Sequence, residues 1–178
     1  MLQFILSVLT RARIAMEISK HLVDLVTNSF EALAKHILVM LTEDDAGCVT
    51  LSVTDDGVGL KDEDVDKALK GEKAPRGNGL RLLRETASDL NYFSDEKGTT
   101  VTATFTKPVF GNVGDALIVF WQEMGITVIT LSATSPRGAY CFDSRLIEQK
   151  YGDRADIQTM VKVRKDVNYT LTNIFGGN

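Results

Sequence analysis

Two polar residues, Asp24 and Asn28, lie four positions apart in a segment whose apolar residues recur with helical spacing. Side chains at positions i and i+4 of a helix point to the same side, so this carboxylate and this amide face one space. An amide oxygen is a neutral ligand suited to Mg²⁺, and a carboxylate can take a proton from water. The pair predicts a cation site beside a base, with a solvated helix face as the alternative.

Three glycine motifs follow this segment along the chain. They are Asp55-Asp56-Gly57-Val58-Gly59, Gly77-Asn78-Gly79-Leu80 and Gly98-Thr99. A glycine lets the backbone pass where a Cβ would collide, and backbone N–H groups ahead of a helix bind phosphate well. Taken singly, each motif is also typical of a turn or a helix cap. Their order along one chain is what favours a nucleotide site.

Taken together, the four segments resemble the GHKL ATPase superfamily. It includes type II topoisomerases, mismatch-repair ATPases, the large heat-shock chaperone, sensor histidine kinases and anti-sigma-factor kinases. Residues 24–32 resemble its N box, residues 55–59 its G1 box, residues 77–80 its G2 box, and Gly98-Thr99 its last glycine-threonine box. The resemblance spans residues 14–106 and implies a Bergerat-type fold, with an adenine nucleotide as the ligand and ATP and Mg²⁺ as cofactors.

The resemblance also implies roles for individual residues. Asn28 is expected to coordinate Mg²⁺ at the phosphates, and Asp24 to be the catalytic base. Asp55 is expected to accept a hydrogen bond from the adenine amino group, with Thr99 at the same edge of the base. The residues expected to hold the nucleotide are Asn28, Asp55, Gly57, Gly59, Gly77, Gly79, Leu80 and Thr99, with Gly57 and Gly59 passing close to the base.

Two departures from the family pattern affect the expected activity. Members that hydrolyse ATP usually carry Glu at the position of Asp24, and the shorter side chain favours slow turnover. The G2 box is abbreviated, and the charged segment 61–76, expected to be the lid over the nucleotide, is short. Lys73 and Arg76 in that segment are candidate phosphate contacts, with solvated surface charges as the alternative.

We therefore expect Mg²⁺-dependent ATP binding with slow hydrolysis, coupled to lid movement and to signalling to a protein partner that the sequence does not name. The first alternative is a serine/threonine protein kinase of the anti-sigma type. The second is a non-catalytic module that senses nucleotide. His21 lies on the same predicted helix as Asp24 and is interpreted as a structural or pocket-edge residue, because sensor kinases carry their phosphoacceptor on a separate upstream helix. His36 is expected at the end of that helix, where the dipole favours a charged imidazole.

The fold class expected is α/β, a two-layer sandwich with a mixed sheet and helices on one face. Residues 1–107 are expected to form the ATP-binding domain. Residues 108–178 resemble the C-terminal extension of small stand-alone bacterial proteins and are expected to form an αββα addition packed on or beside that domain. Periodicity and turn residues predict helices over 14–36, 62–70, 80–90, 115–124 and 156–167, a short helix capped by Asp143 or Ser144, and strands over 37–41, 48–54, 100–106, 126–132 and 139–142.

The composition narrows the class of protein. The 178 residues are 44% hydrophobic and carry a net charge of −4. This composition excludes a disordered chain and gives no indication of non-specific nucleic-acid binding, which usually needs a basic face. The apolar run Met1–Thr10 is about half the length that spans a bilayer, so no membrane partner is expected. Cys48 and Cys141 are far apart and are interpreted as buried free thiols of a cytoplasmic protein.

Overall fold

The computed structural model describes residues 17–70, 72, 79–106 and 108–176. These residues form six strands and six α-helices, with two short 3₁₀ turns at Glu123–Gly125 and Ser144–Leu146. In chain order the elements are α1 (Ile18–Glu31), β1 (His36–Glu43), β2 (Val49–Asp55), α2 (Asp62–Lys70), α3 (Leu80–Thr86), β3 (Asp89–Asp95), β4 (Gly98–Phe105), α4 (Val113–Ile118), β5 (Val128–Ser135), β6 (Gly138–Asp143), α5 (Ile147–Tyr151) and α6 (Ile157–Phe175).

The strands form one mixed sheet in the order β3-β4-β2-β1-β5-β6. Only the β1–β5 pair is parallel, and the other four pairs are antiparallel. The hairpin of β1 and β2 forms as the alternating pattern predicts, with Val39 opposite Val53. The predicted fold class is confirmed: a mixed sheet with its helices on one side.

Alternation along each strand explains why the helices lie on one face. Val39, Leu51, Ala103 and Leu131 are at most 1% exposed and point into the core under the helices. Their strand neighbours point to the opposite face, where hydroxyl groups pair across β2 and β4. These pairs are Thr54 with Thr100 at 3.1 Å, Ser52 with Thr102 at 3.0 Å and Thr50 with Thr104 at 3.1 Å.

The strands of the C-terminal extension continue the same sheet. Strand β5 pairs with β1 along its whole length, from His36 opposite Val128 to Thr42 opposite Thr134. Helix α6 covers this half of the sheet with the fully buried Val163 and Val167. The predicted order of helix, two strands and helices is present, and it shares its core with the half of the sheet formed by β2, β3 and β4.

Helix α1 ends earlier than predicted. It stops at Glu31, and Leu33 takes a left-handed conformation with φ 60°. The Ala34 N–H then bonds the Ser29 carbonyl, which closes the helix end. His36 therefore lies in β1 and not at a helix terminus, and its Nδ1 is 2.7 Å from a carboxylate oxygen of Asp56.

Other element boundaries also differ from the predictions. The predicted helix over 80–90 ends at Thr86, and the following residues form the unpredicted edge strand β3. The predicted helix over 115–124 is divided into α4 and a 3₁₀ turn, and α6 runs eight residues beyond the predicted end at Val167. Asp143 does cap the short turn that precedes α5, since its side chain accepts a hydrogen bond from the Arg145 N–H.

The prediction of two buried thiols is wrong. Both cysteines are free, but Cys141 is exposed and Cys48 is half-buried. Cys141 lies opposite Ser132 in the β5–β6 pair, on the sheet face opposite the helices of the described residues. Within the described ranges, no helix has the length and hydropathy needed to span a membrane.

Candidate functional site

A narrow slot lies between α1 and the sheet, and most of its lining is apolar. The hydrophobic side chains are held in place by their burial on the core side of α1, β2 and β4. Four polar residues also line the slot: Asn28, Ser29, Asp55 and Thr99. The apolar residues are Leu25, Ala32, Val53, Leu60, Leu80 and Val101. Such a slot suits a flat heterocycle with a few polar atoms on one edge.

Asp55 ends β2, and two hydrogen bonds hold its carboxylate in place. One oxygen accepts from the Ser29 hydroxyl at 2.7 Å, and the other accepts from the Gly57 N–H at 3.0 Å. The second contact, from a backbone N–H two residues along the chain, forms an Asx turn after β2. The Asp55 side chain is thereby oriented from both α1 and its own loop.

Thr99 lies directly opposite Asp55 in the β2–β4 pair, so the two side chains share one row of the sheet. Thr99 is 8% exposed, and its hydroxyl is 2.9 Å from the Ser94 hydroxyl on β3. The Ser94 oxygen also accepts a hydrogen bond from the Leu60 N–H at 2.7 Å. A carboxylate and a hydroxyl therefore stand side by side at one edge of the slot.

Asp24 and Asn28 lie on the same side of α1, as their spacing predicts. Asn28 lines the slot. The Asp24 carboxylate lies against the first turn of α3, since a Cβ built on Gly79 would be 2.6 Å from its Oδ2. Gly79 has φ +84° and precedes α3, so it meets both a conformational and a steric requirement for glycine. Burial raises the pKa of Asp24 above its ordinary value, which makes the carboxylate a stronger base.

The glycines of the G1 segment are required by contacts within the protein. A Cβ on Gly57 would be 2.6 Å from the Ala32 carbonyl oxygen, and one on Gly59 would be 2.0 Å from the Asp95 carbonyl oxygen. The family resemblance implies that these glycines pass close to a base. In the structure they allow the loop after β2 to pack against the end of α1 and against β3.

Part of the predicted site lies outside the described residues. This part comprises Gly71, Lys73, Pro75, Arg76, Gly77 and Asn78, which include half of the G2 segment and both candidate lid contacts. The described part of the predicted lid consists of Lys61, α2 and Glu72, and Val65 of α2 is buried against the core. Leu80, the last residue of the G2 segment, is 2% exposed and lines the slot.

His21 is part of the core. Its ring is 1% exposed and stacks on Phe105 with ring centroids 5.6 Å apart. Its Nε2 is 2.9 Å from the hydroxyl of Thr86 on α3. Burial lowers the pKa of His21 to about 4. The imidazole is thus a neutral link between α1 and α3, the two elements that meet again at Asp24 and Gly79.

Two residues at this site were not singled out from the sequence. Ser29 follows Asn28 directly, and its buried position on α1 is compatible with ordinary core packing. Its hydroxyl is 3.2 Å from the Leu25 carbonyl oxygen, a contact that many buried serines make with the preceding turn of their helix. The same hydroxyl also contacts Asp55. Ser94 lies on β3, a strand that the sequence analysis missed, so no signal connected it to the site.

A metal ion at this site would depend on the ligand as well as on the protein. Among the described residues, no group of three or more histidine, cysteine or acidic side chains could hold a metal. One amide beside a phosphate-bearing ligand is a donor set that suits Mg²⁺, which keeps several waters and is usually bound through few protein ligands and substrate phosphates. The chemistry of Asn28 fits such a shared site.

A comparison with one solved structure shows the fold. A crystal structure of the N-terminal domain of a DNA repair protein superposes with a TM-score of 0.50 at 17% identity, covering 75% of this chain and 54% of that one. The Aquifex aeolicus MutL ATPase domain complexed with ADP has a TM-score of 0.44 at 12% identity, covering 84% of this chain and 69% of that one. The chain thus spans about half the length of the DNA repair domain.

A comparison with protein families gives a match over half of the chain. No curated protein matches the chain. The model of the family described as histidine kinase-, DNA gyrase B- and HSP90-like ATPases matches residues 15–109, which is more than half of the 178 residues. That range contains α1, β1 to β4 and every described residue of the slot. The chain belongs to the family of histidine kinase-, DNA gyrase B- and HSP90-like ATPases.

Proposed function

We propose that this chain binds ATP in the slot between α1 and the sheet. The observation that carries the proposal is the pairing of Asp55 and Thr99 at one edge of an otherwise apolar slot. A carboxylate accepts hydrogen bonds only, so it suits the amino group of adenine and disfavours the carbonyl of guanine. Membership in an ATPase family supports the same ligand.

The phosphates are proposed to lie toward Asn28 and the start of α3. Asn28 would hold Mg²⁺ together with phosphate oxygens, and Gly79 and Leu80 would present backbone at the helix start, with Gly77 completing the segment. When bound, the metal neutralises phosphate charge. Asn28 contributes a neutral ligand, so the site would not repel the nucleotide as a second carboxylate would.

Hydrolysis is proposed to be slow and to use Asp24 as the base. Its carboxylate is four residues from Asn28 on the same side of α1 and contacts the α3 start. Its raised pKa favours accepting a proton from water. We further propose that movement of the segment 61–76 over bound nucleotide signals to a protein partner.

Thermal unfolding in the presence of nucleotides tests the binding proposal. ATP or ADP with Mg²⁺ at about 100 times its dissociation constant is expected to stabilise the protein by about 2.7 kcal/mol, because only the folded chain binds it. GTP at the same concentration is expected to give a smaller stabilisation. A melting temperature that no adenine nucleotide changes, with or without Mg²⁺, would disprove ATP binding.

Replacing Asp55 with Asn is expected to weaken ATP binding about tenfold or more, since a hydrogen bond to a charged acceptor is lost and an amide donor can face the adenine amino group. The measurement is isothermal titration calorimetry at constant pH. The control is Asp45→Asn, the same change in the exposed β1–β2 turn, which should bind ATP as the wild type does. Equal affinities of Asp55→Asn and wild type would remove Asp55 from the adenine site.

A further inference from the structure

Three polar side chains lie in one row across the strands β3, β4 and β2. Ser94 is opposite Thr99, and Thr99 is opposite Asp55. Asp55 and Thr99 line the slot, whereas Ser94 lies behind Thr99 and is not among the lining residues. Any effect of Ser94 on a ligand would therefore pass through Thr99.

The hydrogen bonds of Ser94 favour one direction in which protons are shared along this row. Its oxygen accepts from the Leu60 N–H at 2.7 Å, so its own proton has to go to another acceptor. The Thr99 oxygen is 2.9 Å away and the Gly98 carbonyl oxygen is 3.4 Å away. The shorter contact is the better hydrogen bond. When Ser94 donates to Thr99, the Thr99 oxygen is an acceptor on that side and its own proton is directed elsewhere.

The loop after β2 keeps Ser94 in this role. The Gly59 backbone packs against the Asp95 carbonyl so closely that a Cβ would be 2.0 Å from its oxygen. This contact holds the Leu60 N–H beside Ser94. The Leu60 N–H, which donates to Ser94, therefore belongs to the same loop as Gly57, whose N–H donates to the Asp55 carboxylate.

We infer that Ser94 is a positioning residue that makes Thr99 a hydrogen-bond donor toward the slot. The slot edge then presents an acceptor, Asp55, beside a donor, Thr99. Adenine offers the matching pair, an amino donor at position 6 and the acceptor N1, whereas guanine offers a carbonyl and an N1–H. This inference rests on the proposed ATP site and goes further, because it assigns part of the preference for adenine to a residue that does not touch the base.

The test compares ATP with 1-deaza-ATP, in which C–H replaces the N1 acceptor. Wild type is expected to bind ATP about tenfold more tightly than 1-deaza-ATP, the usual effect of one well-formed hydrogen bond. In Ser94→Ala this ratio is expected to fall to about threefold or less, because Thr99 is then free to turn its proton away. Ser94→Thr keeps a hydroxyl and is expected to keep the wild-type ratio. Dissociation constants are measured by calorimetry.

A purely structural role of Ser94 would weaken both nucleotides equally and leave the ratio unchanged, and that result would overturn the inference. A Thr99→Val variant that keeps the wild-type ratio would overturn it as well. If Ser94→Ala does not fold, as judged by its unfolding transition without nucleotide, Ser94→Cys takes its place. The weak thiol donor is expected to give a ratio below that of wild type. Wild-type protein that binds no ATP would instead disprove the proposed function itself.

Discussion

Asp24→Ala is expected to lower the rate of ATP turnover by at least about 100-fold, because a positioned general base typically contributes a factor of about 10² to 10⁴. The dissociation constant for ATP is expected to change less than about threefold, since Asp24 is not among the residues that line the slot. Phosphate release measures turnover, and calorimetry measures affinity. The side chain contacts the α3 start through Gly79, so the unfolding transition of the variant is recorded too.

Two further variants distinguish the loss of the basic oxygen of Asp24 from a change in side-chain shape and from the loss of another negative charge on α1. Asp24→Asn keeps the shape and removes the basic oxygen, and it should be as slow as Asp24→Ala. Glu31→Gln neutralises an exposed acid at the end of the same helix and should hydrolyse ATP at the wild-type rate. Turnover in Asp24→Ala equal to that of wild type would show that Asp24 is not the base.

The products of the same reactions distinguish the three functions. Free phosphate that depends on Asp24 supports hydrolysis. Transfer of radiolabel from ATP to one partner protein supports a serine/threonine kinase. ATP recovered intact from wild type after long incubation supports a non-catalytic nucleotide sensor. The raised pKa of Asp24 adds a pH test: hydrolysis is expected to decline on acidification at a higher pH than an exposed aspartate would give, because the base must be ionised.

Strands with strict alternation could be predicted from the sequence, and those without it could not. Apolar residues at every second position of β2 and β4 occupy one buried face, as predicted. The apolar run 37–41 predicts a buried strand, but β1 buries only one face, and Leu38 and Met40 on its other face are exposed. Strand β3 is at the sheet edge, and most of its residues are exposed, including Tyr92 and Phe93. The sequence of β3 has no strict alternation of apolar and polar residues, and its extended conformation depends on its pairing with β4.

Helix ends were less predictable because their signals are in the tertiary structure. The end of α1 has no glycine or proline, and a left-handed leucine, Leu33, takes the place that glycine usually fills. The helix stops because the next segment enters the sheet between β2 and β5. The continuation of α6 to Phe175 depends on contacts with the sheet, such as the Ser135 hydroxyl that donates to the Ile174 carbonyl.

The residues that face the slot could be predicted from the sequence motifs, whereas the residues behind them could not. Asp55 and Thr99 belong to motifs, but their placement in one row depends on which residues of β2 and β4 are paired. Ser29 and Ser94 act through hydrogen bonds to those two residues, over separations of 26 and five positions. Such bonds follow from strand pairing and side-chain orientation, which no single segment encodes.

His21 gives the site a dependence on pH. The histidine of the unfolded chain has a pKa of about 6.5, whereas in the folded protein burial lowers it to about 4. Between these values the unfolded chain binds a proton that the folded chain does not. The contribution to stability is therefore fully present above pH 6.5 and is lost as the pH falls toward 4. The loss amounts to about 3 kcal/mol over this range.

Replacing His21 with Gln is therefore expected to make the free energy of unfolding less dependent on pH in the acidic range. Between pH 7 and pH 4 the variant should lose about 3 kcal/mol less than wild type, because glutamine does not titrate. Urea unfolding at intervals across this range measures the difference. Parallel curves for His21→Gln and wild type would mean that the buried imidazole does not resist protonation.

The position of His21 connects this titration to the nucleotide site. Its hydrogen bond to Thr86 joins α1 to α3, and the same two helices bring Asp24 against Gly79. A proton on the buried ring would add an uncompensated charge between them, and relief of that charge requires the helices to separate. Because the ring of the folded protein takes a proton only near pH 4, nucleotide affinity of wild type should fall only as the pH approaches 4, and His21→Gln should retain more of its affinity at pH 4 than wild type does.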